Sequence, residues 1–412
     1  MRYSLRRKTK MLHCVQKVSE KIYWVGGNDR RLERFENMFP VPKGVSYNSY
    51  LILDEKTALI DTVDSAIRDQ FLDNIRYVLD GRNLDYLIIN HMEPDHCGNI
   101  EELLKIYPDM KIVGNAKTFQ FFEQFYDTRK PENYHKIAEG ESLSLGEHTL
   151  NFYMMPMVHW PEVMATYESS QKILFSADAF GTFGAINGNL FSDQTDFEGY
   201  YLSEARRYYA NIVGKYGMQV QNAIKKLTKN EIKMICPLHG PSWRTNLDYF
   251  LDKYDKWSSY TPEKNGVVLF YASMYGNTEN VVNAVANKLA EKGVEDMRVF
   301  DVSKTHPSYI IAEVWKYSHM VVASPSYNSG LYHVMDALLH ELTALNIQKR
   351  KVGIIGNYTW ASSAIKVITE HVSKMKDTEI IGDPLEVNSS MKEQEEEKLN
   401  QFVDAIYNSL NN

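Results

Sequence analysis

The chain has 412 residues, 44% hydrophobic and 24% charged, the balance of an ordinary globular protein that is too long for a single core. Its net charge of -7 gives no general attraction to nucleic acid or anionic membrane, which argues against both as partners. The three cysteines, Cys14, Cys97 and Cys236, form no CxxC pair. That pattern excludes a disulfide framework and a built-in cysteine-ligated iron module, and it reads as cytoplasmic.

The basic opening, Arg2, Arg6, Arg7, Lys8 and Lys10, is followed by no apolar run of signal-peptide or membrane-span length, so it reads as a disordered, tag-like end. Lys21–Val25 and Tyr47–Leu53 read as strands. Across the turn Asp54-Glu55-Lys56, Thr57–Thr62 forms the second arm of a hairpin. Further strands are expected at Tyr86–Asn90, Lys111–Val113, Thr149–Met155, Lys172–Ser176 and Lys233–Cys236, with helices between them. This mixture predicts a layered α/β domain over residues 1–255 with its sheets inside. The polar stretch Tyr254–Asn265 reads as a linker, assigned to residues 256–265. Beyond it, strands at Gly266–Tyr271, Met297–Asp301, His319–Ala323, Lys351–Ile355 and Glu379–Ile381 alternate with helices, the first over about Thr278–Lys292. Such alternation predicts a doubly wound parallel sheet in residues 266–412. The acidic run Glu393–Glu397 reads as a solvated helix face.

Directly after the apolar strand Tyr86–Asn90 come His91, Glu93, Asp95 and His96, four metal-capable side chains within six residues. Pro94 restricts the loop that carries them and lowers the entropy cost of gathering charged groups. Three more apolar strands run into His159, Asp178 and His239. Four imidazoles and three carboxylates can hold two metals, with a carboxylate such as Asp178 between them. One grouping is His91, Glu93 and His159; the other is Asp95, His96 and His239. Hard oxygen and imidazole donors without thiolate favour iron, manganese or zinc, and the two-histidine, one-carboxylate pattern suits oxygen-handling non-haem iron. Cys97 and Cys236 read as packed thiols beside the donors.

The His91-Met-Glu93-Pro-Asp95-His96 fragment resembles the metallo-β-lactamase fold family, with Glu93 where the zinc enzymes carry a second histidine. With His159-Trp160-Pro161-Glu162, Asp178-Ala-Phe and Pro237-Leu-His239-Gly240, it is similar to the flavodiiron proteins, or A-type flavoproteins. That resemblance implies a metallo-β-lactamase-like αββα sandwich followed by a flavodoxin-like domain. It also implies a di-iron centre whose ligands are the seven residues named, Asp178 bridging. Asp29-Arg30-Arg31 and Ser46-Tyr47-Asn48 resemble stretches around the family's pocket and receive no assigned role.

The strand Gly266–Tyr271 feeds into Ala272-Ser273-Met274-Tyr275-Gly276-Asn277-Thr278, which opens a helix. Hydroxyls and backbone N–H groups at a helix start form an anion site, and Gly276 permits close approach. Neither a GxxxxGK loop nor a GxGxxG fingerprint is present, so a single FMN phosphate fits better than a nucleotide triphosphate or a dinucleotide. Two further strand ends supply candidates for the ring. One is Ser324-Pro325-Ser326-Tyr327-Asn328 with Gly330; the other is Asn357-Tyr358-Thr359-Trp360, whose indole could stack on a flavin. This region resembles flavodoxin, although Thr359 stands where the flavodiiron family often has glycine.

Together the resemblances imply an enzyme reducing dioxygen to water or nitric oxide to nitrous oxide. They imply FMN and two iron ions, a rubredoxin-like external donor and a head-to-tail homodimer. The alternative is a zinc or dinuclear metallohydrolase with an appended flavodoxin module.

Overall fold

The computed structural model describes residues 13–127 and 130–411; the basic opening lies outside them. The chain divides into two compact units, Met1–Tyr201 with Asn222–Leu247, and Leu202–Gln221 with Asp248–Asn412.

In the first unit, β1 (Gln16–Ser19), β2 (Ile22–Trp24), β3 (Tyr50–Leu53), β4 (Thr57–Ile60), β5 (Tyr86–Ile88), β6 (Lys111–Gly114) and β7 (Tyr134–Lys136) lie side by side in that order. Pairing is antiparallel from β1 to β4 and parallel from β4 to β7. A second sheet follows in the same sequential manner. It contains β8 (Ser142–Ser144), β9 (Thr149–Met154), β10 (Met164–Glu168), β11 (Ile173–Phe175) and β12 (Met234–Cys236). Alternation along the strands turns Tyr50, Ile52, Ala58 and Ile60 of the first sheet onto Phe152, Met164 and Phe175 of the second. The predicted hairpin is present, with Leu53 opposite Thr57.

The expected strand Tyr47–Leu53 is interrupted at Asn48 and Ser49. Asn48 has other work: its Nδ2 donates to the carbonyls of Pro237 and Gly240, both at 2.8 Å, and Trp24 Nε1 donates to its Oδ1 at 2.9 Å. The break in the ladder thus anchors the loop that carries His239.

In the second unit, β13 (Lys264–Tyr271), β14 (Met297–Asp301), β15 (Tyr317–Tyr327), β16 (Lys351–Tyr358) and β17 (Glu379–Ile380) form a parallel sheet in the order β14-β13-β15-β16-β17. A further strand, β18 (Leu385–Asn388), pairs with the far half of β16. Val267, Leu269, Val321 and Ile355 bury one face of this sheet against Val281, Val285 and Leu289 of the helix Asn277–Glu291 and Phe402 and Ile406 of the helix Glu396–Leu410. This is the doubly wound sheet expected from the sequence. Glu393, Glu396 and Glu397 are exposed, as expected of a solvated face.

The expected linker is largely structured. Residues up to Ser258 belong to the helix Leu247–Ser258, and Lys264 already starts β13. Phe250, Tyr254 and Trp257, spaced on one helical face, are fully buried, a pattern masked in the sequence by the polar residues around it. The second unit also takes in Leu202–Gln221 from within the region assigned to the first domain. The pairing of Arg206 with Glu263, and of Arg207 Nη1 with Ser308 Oγ at 3.2 Å, holds that segment there. Among the described residues no helix is long and apolar enough to cross a membrane.

Candidate metal centre and flavin loops

Four strands of the first unit lead, beyond their carboxyl ends, to the metal-capable residues. The loop after β5 carries His91 and Glu93, and a single turn, Pro94–Cys97, carries Asp95 and His96. His159 lies in the connection from β9 to β10, Asp178 just beyond β11 and His239 just beyond β12. The strands stop a few residues short of the donors, so each donor sits on a turn that aims it rather than on the ladder itself.

Two groups result: His91, Glu93, His159 and Asp178, and Asp95, His96 and His239, with the chosen donor atoms of each group within 4.8 Å of one another. Glu93 Oε2 lies 3.1 Å from Nε2 of both His91 and His159. Asp95 Oδ2 lies 3.2 Å from His96 Nε2 and 3.3 Å from His239 Nε2. Asp178 divides its two oxygens. Its Oδ2 stands 3.4 Å from His91 Nε2 and 3.2 Å from His159 Nε2, while its Oδ1 stands 3.1 Å from His96 Nε2 and 3.7 Å from His239 Nε2. Donors about 2.1 Å from a common ion lie about 3–3.5 Å from each other, the spacing of the carboxylate–imidazole pairs within each group.

The electrostatics fit cations. Asp95 (8% exposed), His96 and Asp178 are buried, and both oxygens of Asp95, both ring nitrogens of His96 and Oδ1 of Asp178 have no hydrogen-bond partner among the described residues. Buried polar atoms are rarely left so, and here they converge. Burial opposes charge on the His91 imidazole, yet the Asp178 carboxylate outweighs it and raises that group well above its ordinary value. The same contest, with Asp95 as the leading carboxylate for His96 and Asp178 for His159, raises each to about 9. Asp178 itself is held well below the carboxylate range, burial being overcome by His96 and His91. Three carboxylates among four imidazoles draw in positive charge, and two divalent ions supply it. The residues present fit a two-metal site.

The sequence reading gave no role to the groups that orient these donors. His91 Nδ1 donates to Glu162 Oε1 at 2.7 Å, and His239 Nδ1 donates to the Ser46 carbonyl at 2.8 Å, which turns each Nε2 toward the centre. Asp61, fully buried, accepts from the backbone N–H of Asn90 at 2.7 Å and of His91 at 3.2 Å and fixes the start of the ligand loop. Its only sequence signal is an acid closing an apolar strand. Glu36 reaches the pocket from the tip of the hairpin Arg34–Phe35/Phe39–Pro40. Its carboxyl meets that of Glu93, and loss of solvent followed by the Glu93 charge pushes it up to about 8. No local pattern could have shown that contact. Trp160 stands edge-on to His91, with ring centroids 5.3 Å apart. Cys97 and Cys236 are buried and pushed up to about 12, chiefly by burial, consistent with packed thiols.

In the second unit, the three candidate flavin loops emerge at the carboxyl ends of β13, β15 and β16, which are neighbours in the sheet. Ser273 Oγ accepts from the backbone N–H of Gly276 at 3.1 Å and of Glu279 at 3.4 Å, and Gly276 takes φ 89° to start the helix at Asn277. The structure extends β15 through Ser324, Pro325 and Ser326 to Tyr327, and the chain then reverses through Asn328 (φ 49°) and Ser329 (φ 58°) to pair with Gly330. Ser326 Oγ accepts from the N–H groups of Ser363 and Ala364 at 3.0 and 3.1 Å, tying the second loop to the third. Asn357 Nδ2 donates to the Ser389 carbonyl at 2.9 Å, and Ser389 Oγ donates to Thr359 Oγ1 at 3.2 Å. Tyr275 is 91% and Trp360 77% exposed, with Met274 and Tyr327 also standing in solvent. Thr278 is buried and Tyr358 half-buried.

Residues 45–240 match the ODP family beta lactamase model and residues 269–402 match the flavodoxin model. The chain is 32% identical to a nitric oxide reductase of Moorella thermoacetica, covering 89% of this chain and 91% of the relative. The rubredoxin oxygen:oxidoreductase of Desulfovibrio gigas superposes with TM-score 0.90 at 29% identity, covering 96% of this chain and 98% of that one. A flavodiiron protein of Giardia intestinalis also superposes with TM-score 0.90, at 25% identity over 98% and 97% of the two chains. The chain belongs to the flavodiiron proteins. It is an oxidoreductase with a β-lactamase-like first domain that carries the candidate two-metal site and a flavodoxin-like second domain.

Proposed function

We propose that this enzyme reduces dioxygen to water, nitric oxide to nitrous oxide, or both, at a di-iron centre fed with electrons through FMN. The observation that carries the reading is the division of Asp178, with one oxygen toward His91 and His159 and the other toward His96 and His239. When bound, the iron pair supplies open coordination positions and electrons, and the flavin converts single-electron delivery into the multi-electron demand of either gas.

The chain's own residues do the holding and shielding. His91, Glu93 and His159 serve one metal, Asp95, His96 and His239 the other, and Asp178 spans both. Glu162 and the Ser46 carbonyl fix the imidazole orientations, so that each Nε2 would face a metal. Phe35 and Tyr47 stand edge-on to His239 and Trp160 to His91, an aromatic wall that limits water. In the second unit Ser273, Met274, Tyr275, Gly276, Asn277 and Thr278 take the FMN phosphate. The loops Ser324–Gly330 and Asn357–Trp360 take the ring.

The donor is a rubredoxin-like protein. The Desulfovibrio relative's name pairs rubredoxin with oxygen, which supports such a donor. Two copies associate head to tail, so that the flavin of one serves the metals of the other. The aromatic side chains exposed on the flavin loops support that pairing. The test is iron, zinc and FMN content on protein prepared with ample iron and without oxygen, followed by consumption of each gas. Two irons and one FMN per subunit with gas consumption are expected. Two zincs, hydrolysis and no gas consumption would overturn the reading.

A further inference from the structure

The helix Ala364–Val372 begins where the third flavin loop ends, and its first backbone N–H groups need acceptors from outside the helix. The residue before it, Ser363, is of a type that usually supplies one from its own side chain. It makes no such cap. Its hydroxyl donates instead to the Gly330 carbonyl of the second loop, at 2.7 Å. The acceptor comes from that same loop, where Ser326 Oγ receives the N–H of Ser363 at 3.0 Å and that of Ala364 at 3.1 Å. The two serines thus exchange bonds across the loops.

The exchange grips a hairpin. Ser326 and Tyr327 on the outgoing arm stand opposite Leu331 and Gly330 on the returning arm. Ser363 holds both arms, the first through its N–H and the second through its hydroxyl, just behind the reverse turn at Asn328 and Ser329. On its other flank the third loop is fastened to β18 and the residue after it. Asn357 Nδ2 donates to the Ser389 carbonyl, the Ser389 N–H donates to the Tyr358 carbonyl at 2.7 Å, and Ser362 donates to Glu386. Between these anchors the tip projects, with Trp360 77% exposed.

We propose that Ser326 and Ser363 form a clamp that sets the separation of the second and third loops before FMN binds, which makes Ser363 a positioning residue for the flavin. The inference rests on the FMN assignment above. A local cap from Ser363 would satisfy the helix equally well and leave the loops independent; the crossed arrangement fixes one against the other. Loops already ordered lose less freedom when a ligand binds, and a ring met by fixed backbone groups has one setting rather than several. Opening the clamp moves that ordering into the binding step, so affinity falls and the surroundings of the ring change.

The full chain, loaded with metal and stripped of FMN, is compared as wild type, Ser326→Ala, Ser363→Ala, the double variant and Ser363→Thr, which retains the hydroxyl. FMN dissociation is read by fluorescence titration, and the setting of the bound ring by visible circular dichroism. Each single alanine variant is expected to bind FMN about 10-fold more weakly, with a changed circular dichroism band. The double variant is expected to lose well under the roughly 100-fold of two independent contacts, because one clamp is opened once. Ser363→Thr should regain wild-type affinity and spectrum, and metal content and melting temperature should stay unchanged throughout. Wild-type affinity and spectrum in Ser363→Ala would overturn the clamp. So would losses that multiply in the double variant, since Ser326 would then act on the flavin by itself. A lower melting temperature with an unchanged spectrum would reduce the pair to a helix cap and overturn it as well. A wild-type chain that binds no FMN would overturn the flavin reading, and the clamp with it.

Discussion

The two sites in this chain are built on opposite plans. In the first unit, seven donors converge in two groups, most of them buried and held by a surrounding layer of Glu162, Asp61 and the Ser46 carbonyl. In the second unit, Ser326 ties the second loop to the third and Asn357 ties the third to Ser389, while Tyr275, Tyr327 and Trp360 are exposed. The difference follows from the ligands. An ion contributes charge but little surface, so its cage must be preassembled against strong carboxylate repulsion. A flavin brings a large apolar face on which exposed aromatic side chains can stack. The first site therefore depends on charge balance and the second on stacking area.

The sharpest test of that contrast is Asp178→Ala. Removing the one carboxylate shared by both groups is expected to lower gas consumption by more than about 100-fold and to deplete metal, with FMN content unchanged. Elemental analysis beside flavin absorbance reads both arms, and a parallel loss of FMN would erase the distinction between sites. Next in size is Glu162→Gln. It keeps a hydrogen-bond acceptor for His91 but removes the carboxylate charge, and metal affinity should fall about 10–100-fold in competition with a chelator. An unchanged affinity would show that Glu162 only packs.

For the flavin loops the expected effects are smaller. Trp360→Leu removes one stacked face from an otherwise tied loop, so FMN affinity should weaken about 3–10-fold by fluorescence titration, with metal content unaffected. The smallest effect concerns His319, buried in β15 and hydrogen-bonded to Ser318 and Ser409. Burial, aided by the Lys351 charge, lowers it from 6.5 to about 4. The folded form thus resists a proton that the unfolded chain accepts. Stability is full above about pH 6.5 and declines as pH falls toward about 4. Melting curves across that window should drop by a few degrees more in wild type than in His319→Gln. Equal slopes would remove His319 from the account.

Much of this was legible in the residues. His91 to His96 announce a metal site because four donors crowded behind an apolar strand have no packing purpose. The strand and helix alternation after residue 266 announces the parallel sheet, and its carboxyl edge then names the loops. Glu162 was in view within His159-Trp160-Pro161-Glu162 yet carried no role, because its function depends on a contact with His91 across the fold. The linker was misjudged at Trp257, where polar neighbours hid an apolar helix face.

The sequence by itself determined which donors exist, which strands present them, and the division into a metal-capable and a flavin-capable region, because those follow from residue chemistry and local periodicity. Only the tertiary structure decided how Asp178 splits its oxygens, that Asn48 leaves its strand to anchor the His239 loop, and that Glu36 approaches Glu93 from a distant segment. Those are contacts between residues far apart in the chain, set by how two sheets pack face to face, and no spacing along the sequence encodes them.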